Sequence, residues 1–223
     1  MHNIQVETVD DPRFGIRIYR NALSNRICDI GFLEEVMSRG KVEYMKWRHS
    51  QVGDLETVTS QRNSYDCILR QENVKYAGKE YKDFLLVYNE LISILKKCVD
   101  HYTEPYGIQM KYIEAVNYLK YEPSEYFNVH SDASWSYVCT VSTVSYLNDE
   151  YTGGELDFPI IGYTYTPRKG DILICPSNFI YQHGAKPLVS GVKYSVATMF
   201  DHNSRFHKYP HGYNEDGTIA TER

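Results

Sequence analysis

Apolar positions along the chain change their period near residue 105. Before that point they recur at steps of three and four, the spacing of one helix face. Ile27, Ile30, Leu33, Val36 and Met37 mark a helix over 24–39, which Ser24 can cap and Gly40 stops. Phe84, Tyr88, Leu91, Leu95, Cys98 and Tyr102 mark a longer one from about 79 to 102, ended by Pro105 and Gly107. Between them, 46–66 is polar and irregular around Gly53 and reads as a long loop or a β-finger, the kind of segment that covers a site.

Beyond 107 the texture becomes short runs of Tyr, Val, Ile and Thr. They are punctuated at Pro123, Gly153-Gly154, Pro159, Gly162, Pro167, Gly170, Gly184 and Gly191. Strands at that spacing predict a sandwich or jelly roll. The expectation is an α+β, mainly β protein: a double-stranded β-helix of about eight strands over 107–201, its N-terminal helices packed on the outside of the major sheet. One domain is expected over 1–223, with 24–105 as helical support, 46–66 as a lid and 202–223 as a polar tail.

Composition narrows the class without changing that picture. The 223 residues are 42% hydrophobic and 24% charged, which suits a globular chain. A net charge of −5 argues against a broad nucleic-acid face, so no nucleic-acid partner is expected. The longest apolar run, Phe84-Leu85-Leu86-Val87, is too short to span a bilayer, and no signal peptide opens the sequence. Five scattered cysteines without a Cys-x-x-Cys pair read as reduced thiols, and the expected location is cytoplasmic. Twenty-one tyrosines suit a sheet with amphipathic pockets.

The chemistry concentrates around His130-Ser-Asp132. Residues two apart on a strand share a face, so this His and Asp can reach one ion. Alone the pair is common, and a core histidine bonded to a carboxylate explains it equally well. His183, 51 residues after Asp132 in a strand-turn context, supplies a third ligand type, and Lys193 follows it by ten. Two His and one carboxylate leave three positions open on an octahedral Fe(II), the facial triad of non-haem iron oxygenases. Zinc, or a non-catalytic cupin-like site, would use the same residues. A nearby cation is what the far end of a dicarboxylate co-substrate requires.

From about 107 to 201, and more loosely from 24, the chain resembles the Fe(II)/2-oxoglutarate-dependent dioxygenases of the prolyl 4-hydroxylase type. Tyr121 stands nine residues before His130, and Tyr146-Leu147-Asn148 begins sixteen after it. Gly153-Gly154, Phe158-Pro159 and His183-Gly-Ala-Lys-Pro-Leu-Val-Ser-Gly-Val-Lys193 complete the match. The resemblance implies iron ligation by His130, Asp132 and His183. It implies that Lys193 pairs with the distal carboxylate of 2-oxoglutarate, helped by Tyr146, with Tyr121 bonding the co-substrate near the metal and Ser195 lining its pocket. It also implies O2 as oxidant, ascorbate as reductant, and release of succinate and CO2. Arg62-Asn-Ser64 is similar to the segment by which some members hold a peptide, which makes Arg62 and Ser64 candidate substrate residues. Several relatives carry a substrate-facing Trp six residues after the basic residue, where this chain has Met199.

The implied reaction is hydroxylation of an unactivated C–H bond, on a peptidyl-proline of a peptide or protein substrate. A small-molecule or other side-chain acceptor is the alternative, and a non-catalytic metal-binding module is the reading from a different class. Asp132 argues against halogenation, since the related halogenases lose that carboxylate. Asp201, His202, His207 and His211 could be taken for a second metal cluster, but their spacing fits no strand or helix site and reads as a polar tail. The cysteines have no neighbouring basic residue and are assigned no chemistry.

Overall fold

The computed structural model describes residues 5–8, 15–40, 42–52, 60–69, 81–134 and 138–203. Two helices, α1 (Ile30–Arg39) and α2 (Lys82–Thr103), accompany the strands. Before the core come β1 (Gln5–Thr8), β2 (Arg17–Arg20), β3 (Arg48–His49), β4 (Arg62–Asn63) and β5 (Tyr65–Leu69). The core strands are β6 (Tyr112–Tyr121), β7 (Tyr126–His130), β8 (Val141–Tyr146), β9 (Tyr151–Gly153), β10 (Leu156–Phe158) and β11 (Tyr163–Tyr165). They continue through β12 (Ile172–Pro176), β13 (His183–Ala185), β14 (Leu188–Gly191) and β15 (Lys193–Asp201).

One sheet runs β1-β2-β12-β8-β15-β6-β5-β3 and the other β11-β10-β13-β7-β4, while β14 and β9 pair separately. At the heart of each lie four antiparallel strands, β12-β8-β15-β6 and β11-β10-β13-β7, which are the eight strands of a jelly roll. The change of period at 105 falls between α2 and β6, while β3, β4 and β5 from the first part extend both sheets.

Period-two alternation decides what each core strand contributes. On β15, Tyr194, Val196 and Phe200 point outward into a large apolar cluster with Phe84, Leu91 and Leu95 of α2. Phe84 also meets Tyr118 of β6, ring centres 5.9 Å apart. Burying each such side chain stabilises the fold by about 1.5–3 kcal/mol, which places the helices firmly on the outer face of the larger sheet. A second cluster, with Ile18, Tyr146, Phe158 and Leu173, fills part of the space between the sheets.

Three local expectations change. The first helix begins at Ile30, because Asp29 takes an extended conformation and accepts from the Phe32 N–H. Ser24 instead closes the preceding turn by accepting from the Ile27 N–H. Gly184 is a strand residue in β13, not a turn; a Cβ there would lie 2.8 Å from the Phe127 carbonyl oxygen. That glycine allows β13 to approach β7 closely.

The segment 46–66 has strands at its ends. Its first part pairs β3 with β5, and its last part pairs Arg62 of β4 with Phe127 of β7. The chain then crosses from the smaller sheet to the larger one at Ser64, between β4 and β5. Residues 53–59 of the expected lid lie outside the described residues, as do 204–223 of the expected tail, including His207 and His211. Asp201 is buried and accepts from the Thr140 hydroxyl at 2.5 Å, so it serves the end of β15.

Candidate active site

Adjacent strands of the smaller sheet bring two of the three candidate ligands side by side. β13 pairs with β7 so that His183 lies opposite His130, and Asp132 follows just past the end of β7. One ligand atom from each of the three residues falls within 4.8 Å of the other two. Asp132 bridges the pair, with Oδ1 3.3 Å from His130 Nε2 and Oδ2 3.6 Å from His183 Nε2.

Each imidazole is set by a backbone carbonyl. His130 Nδ1 lies 2.9 Å from the Asn128 oxygen and His183 Nδ1 3.0 Å from that of Tyr181. Both contacts require the proton on Nδ1, which leaves the Nε2 lone pairs turned towards Asp132, as metal ligation requires. Phe127 stacks on His130 at 3.7 Å, and Phe158 stands 5.4 Å from His183. These rings and carbonyls were not anticipated from sequence, although Phe127 sits three residues before His130.

Burial alone would raise the Asp132 pKa, but the attraction of the two histidines, whenever they are protonated, outweighs it and holds the carboxyl well below its usual range. Burial lowers the His183 pKa despite the nearby Asp132. The site therefore favours a carboxylate beside neutral imidazole, the donor set that a divalent first-row metal takes.

The triad opens into a cavity walled by strands of both sheets. Lys193 lies in it and is only 2% exposed. Its ammonium donates to the Gly154 carbonyl at 2.6 Å and faces the rings of Tyr121 and Tyr146 at 5.3 and 5.6 Å. Among the described residues no carboxylate pairs with it, and burial pushes its pKa down to about 8 against the pull of Glu155. Gly154 has φ +68°, and a Cβ there would lie 3.2 Å from Lys193 Cδ, so a glycine at this point lets the carbonyl reach the ammonium. Asn148 fixes the strand on both sides of the lysine, donating to the Val192 carbonyl and accepting from the Tyr194 N–H, each at 2.8 Å.

Ser195 and Tyr146 line the same cavity, and the buried Tyr146 hydroxyl has no partner among the described residues. Tyr121 lines it too, with its hydroxyl turned towards Ser64. Arg62 stands at the wall, its guanidinium 4.6 Å above the Phe127 ring. Ser64 does not line the cavity. It is buried, accepts from Arg62 Nε at 3.1 Å and donates to Ser50 Oγ at 2.9 Å, so it holds Arg62 from behind. Met199 lines the cavity on the inner face of β15. Asn117, two positions before Leu119 on the same face of β6, also lines it and was missed; stepping back by twos from Tyr121 along the strand would have found it.

A jelly roll with a two-histidine, one-carboxylate cluster and a buried cation across one cavity has the donors to hold one metal ion and the charge to receive an anionic ligand. Residues 116–201 match the model of the 2OG-Fe(II) oxygenase superfamily. The fold is shared with a viral collagen prolyl hydroxylase from Paramecium Bursaria Chlorella virus-1, solved with 2OG. That match has 17% identity, covers 86% of this chain and 98% of the other, and has a TM-score of 0.60. A prolyl hydroxylase from Trichoplax adhaerens, in complex with a hypoxia inducible factor oxygen degradation domain peptide fragment, is 16% identical over 85% of this chain and 84% of its own, with a TM-score of 0.64. A prolyl-4-hydroxylase from Pseudomonas putida is 16% identical over 84% and 93%, with a TM-score of 0.63. No curated protein matches the chain significantly in sequence.

Proposed function

We propose that this dioxygenase hydroxylates a prolyl residue of a peptide, with His130, Asp132 and His183 holding Fe(II) and Lys193 holding the distal carboxylate of 2-oxoglutarate. The observation that carries the reading is the buried Lys193 ammonium without an ion-pair partner, in the same cavity as the triad. A buried charge that lacks a counter-ion is costly, and a carboxylate entering the cavity relieves it. The unpartnered Tyr146 hydroxyl offers a second donor to that carboxylate, and Ser195 lines the wall beside it. Tyr121 packs against the ammonium from the opposite strand.

When bound, Fe(II) and 2-oxoglutarate supply an oxidation driven by O2 that releases succinate and CO2 and places a hydroxyl on a C–H bond; ascorbate is the proposed reductant. The chain supplies position and exclusion of water. The carbonyls of Asn128 and Tyr181 orient the imidazoles, Phe127 and Phe158 keep solvent from their faces, and Asn148 sets Lys193.

Support for a peptide acceptor comes from Arg62. It lies on β4 at the edge of the smaller sheet and is stacked over the ring that covers His130, a place from which a guanidinium can hold the carbonyls of an extended chain. The names of the fold neighbours, one of them bound to a peptide, agree in direction. The flexible Met199 side chain gives the acceptor pocket an adaptable wall. The test is incubation of the full chain with Fe(II), 2-oxoglutarate, ascorbate and a peptide library under air. Proline-containing peptides should gain 16 Da in step with succinate formation, and Arg62→Ala should lose the peptide product while keeping uncoupled succinate formation. Product confined to peptides without proline, or to small molecules, would refute the prolyl assignment.

A further inference from the structure

Asp132 differs from the two histidines in how the fold holds it. His130 and His183 sit on paired strands of the smaller sheet, whereas β7 ends at His130 and leaves Asp132 two residues beyond the ladder. Strand pairing therefore does not fix it, although its side chain is only 6% exposed. What holds it comes from the larger sheet. Ser177, just past the end of β12, accepts two hydrogen bonds on its carbonyl oxygen, from the Ala133 N–H at 3.0 Å and the Ser131 hydroxyl at 3.3 Å. Those two residues flank Asp132 on either side. The Ser177 N–H in turn donates to the Thr140 carbonyl at 3.1 Å, next to the start of β8.

Side chains make a second connection. The Ser142 and Ser177 hydroxyls lie 2.7 Å apart, both buried, and Ser142 also hydrogen-bonds Asp132. On its far side Ser177 meets the Cys139 thiol. Chemistry sets the direction of this chain. An ionised carboxylate only accepts, so Ser142 donates to Asp132 and must accept from Ser177, whose oxygen is left to accept from the Cys139 S–H. The imidazoles cannot take over the task, because with their protons on Nδ1 they turn only lone pairs towards Asp132. Every proton in the row thus points at the carboxylate, and hydrogen bonds in such a row strengthen one another.

We propose that Ser142 and Ser177 are positioning residues for the metal site, a directed pair of hydroxyls from the larger sheet that fixes how the Asp132 carboxylate faces the ion. This rests on the reading of the triad as a metal site and adds to it the groups that set its one ligand outside the ladder. A carboxylate can offer a metal one oxygen or both. A hydroxyl that engages one oxygen favours the other as the ligand, and it removes a rotation that ion binding would otherwise have to freeze.

The test is calorimetric titration of the full apo chain with Mn(II), beside chemical denaturation of each variant. Ser142→Ala should weaken Mn(II) about tenfold, the usual cost of removing a group that orients a metal ligand. Ser142→Thr keeps the hydroxyl on a strand that suits a branched side chain, and should stay within about twofold of wild type. Ser177→Ala leaves its carbonyl in place and should weaken Mn(II) by about threefold, since its hydroxyl acts through Ser142. The double variant Ser142→Ala, Ser177→Ala should bind no more weakly than Ser142→Ala, because the row is already broken there. A purely structural contribution would instead make the two losses add and would lower them both only in step with stability. Additive losses, or wild-type affinity in either alanine variant, would overturn the assignment. Ser177→Ala carries the test alone should Ser142→Ala fail to fold. Wild-type protein that bound no Mn(II) would overturn the metal reading as well, which separates the two failures.

Discussion

The two faces of strand β15 divide stability from chemistry within nine residues. Tyr194, Val196 and Phe200 point outward into the cluster shared with α2, and Phe200 and Val196 are fully buried there. Lys193, Ser195, Ala197 and Met199 point inward to the cavity. The outer face is filled: its apolar groups touch one another, the Tyr194 hydroxyl donates to Glu34 at 2.7 Å, and the Thr198 hydroxyl is buried there without a partner among the described residues. The inner face borders an open cavity, with a buried ammonium that no carboxylate pairs with and the Asn117 and Tyr146 oxygens unpartnered among the described residues. Unsatisfied groups in a rigid frame mark where a ligand completes the structure.

Substitutions on this strand should therefore separate by parity. The largest change in stability is expected from Phe200→Ala. It empties an aromatic site between sheet and helix and should cost about 3–5 kcal/mol in chemical denaturation, with 2-oxoglutarate affinity unchanged for the molecules that remain folded. A comparable loss of affinity would show that the two faces are coupled.

Lys193→Ala should do the opposite. Loss of the charge-assisted bond should weaken 2-oxoglutarate by roughly 2–3 kcal/mol, while the apo protein keeps its stability or gains slightly. The same lysine fixes a pH dependence. Its pKa falls from 10.5 unfolded to about 8 folded, burial outweighing the attraction of Glu155. Between these values the unfolded chain holds a proton that the folded chain has released. Apo stability from this group therefore rises with pH across that window and is at its lowest below it. Binding needs the ammonium, so 2-oxoglutarate affinity should fall as pH rises through about 8, and calorimetry across pH 7–10 reads the slope directly. A flat profile would place the carboxylate elsewhere.

The smallest effect is expected next door. Tyr194→Phe removes the bond to Glu34, which also accepts from Trp47 Nε1 at 3.1 Å. It should cost about 1 kcal/mol of stability and leave 2-oxoglutarate binding within error. A change in affinity as large as that of Lys193→Ala would erase the contrast between the faces.

The sequence made some of this legible and hid the rest for physical reasons. The helix α2 and the start of the β core were readable because period and punctuation agree, from Phe84 to Tyr102 and then at Pro105 and Gly107. The triad was readable because a His-x-Asp pair on extended chain can reach one ion, although Asp132 lies just past the end of β7 and only the pairing of β13 with β7 shows that His183 arrives opposite His130. The start of α1 was misplaced, since Ser24 and Asp29 are both capable caps and only the backbone chooses between them. Gly184 looked like a turn because close strand approach and turning select the same residue. Ser64 read as a candidate substrate residue in a polar stretch, and the crossing between sheets buries it. Asn117 carries no motif at all. Its place on the cavity wall beside Ala197 is set by the pairing of β6 with β15, which is made only in the fold.

The central claim, that one cavity joins the triad to the co-substrate, is tested most directly by visible absorbance under anaerobic conditions. Wild-type protein given one equivalent of Fe(II) should develop a metal-dependent charge-transfer band on addition of 2-oxoglutarate, saturating at one per chain. His183→Ala, folded with unchanged circular dichroism, should develop none. A band of equal intensity in the variant, or its absence from wild type, would contradict the account.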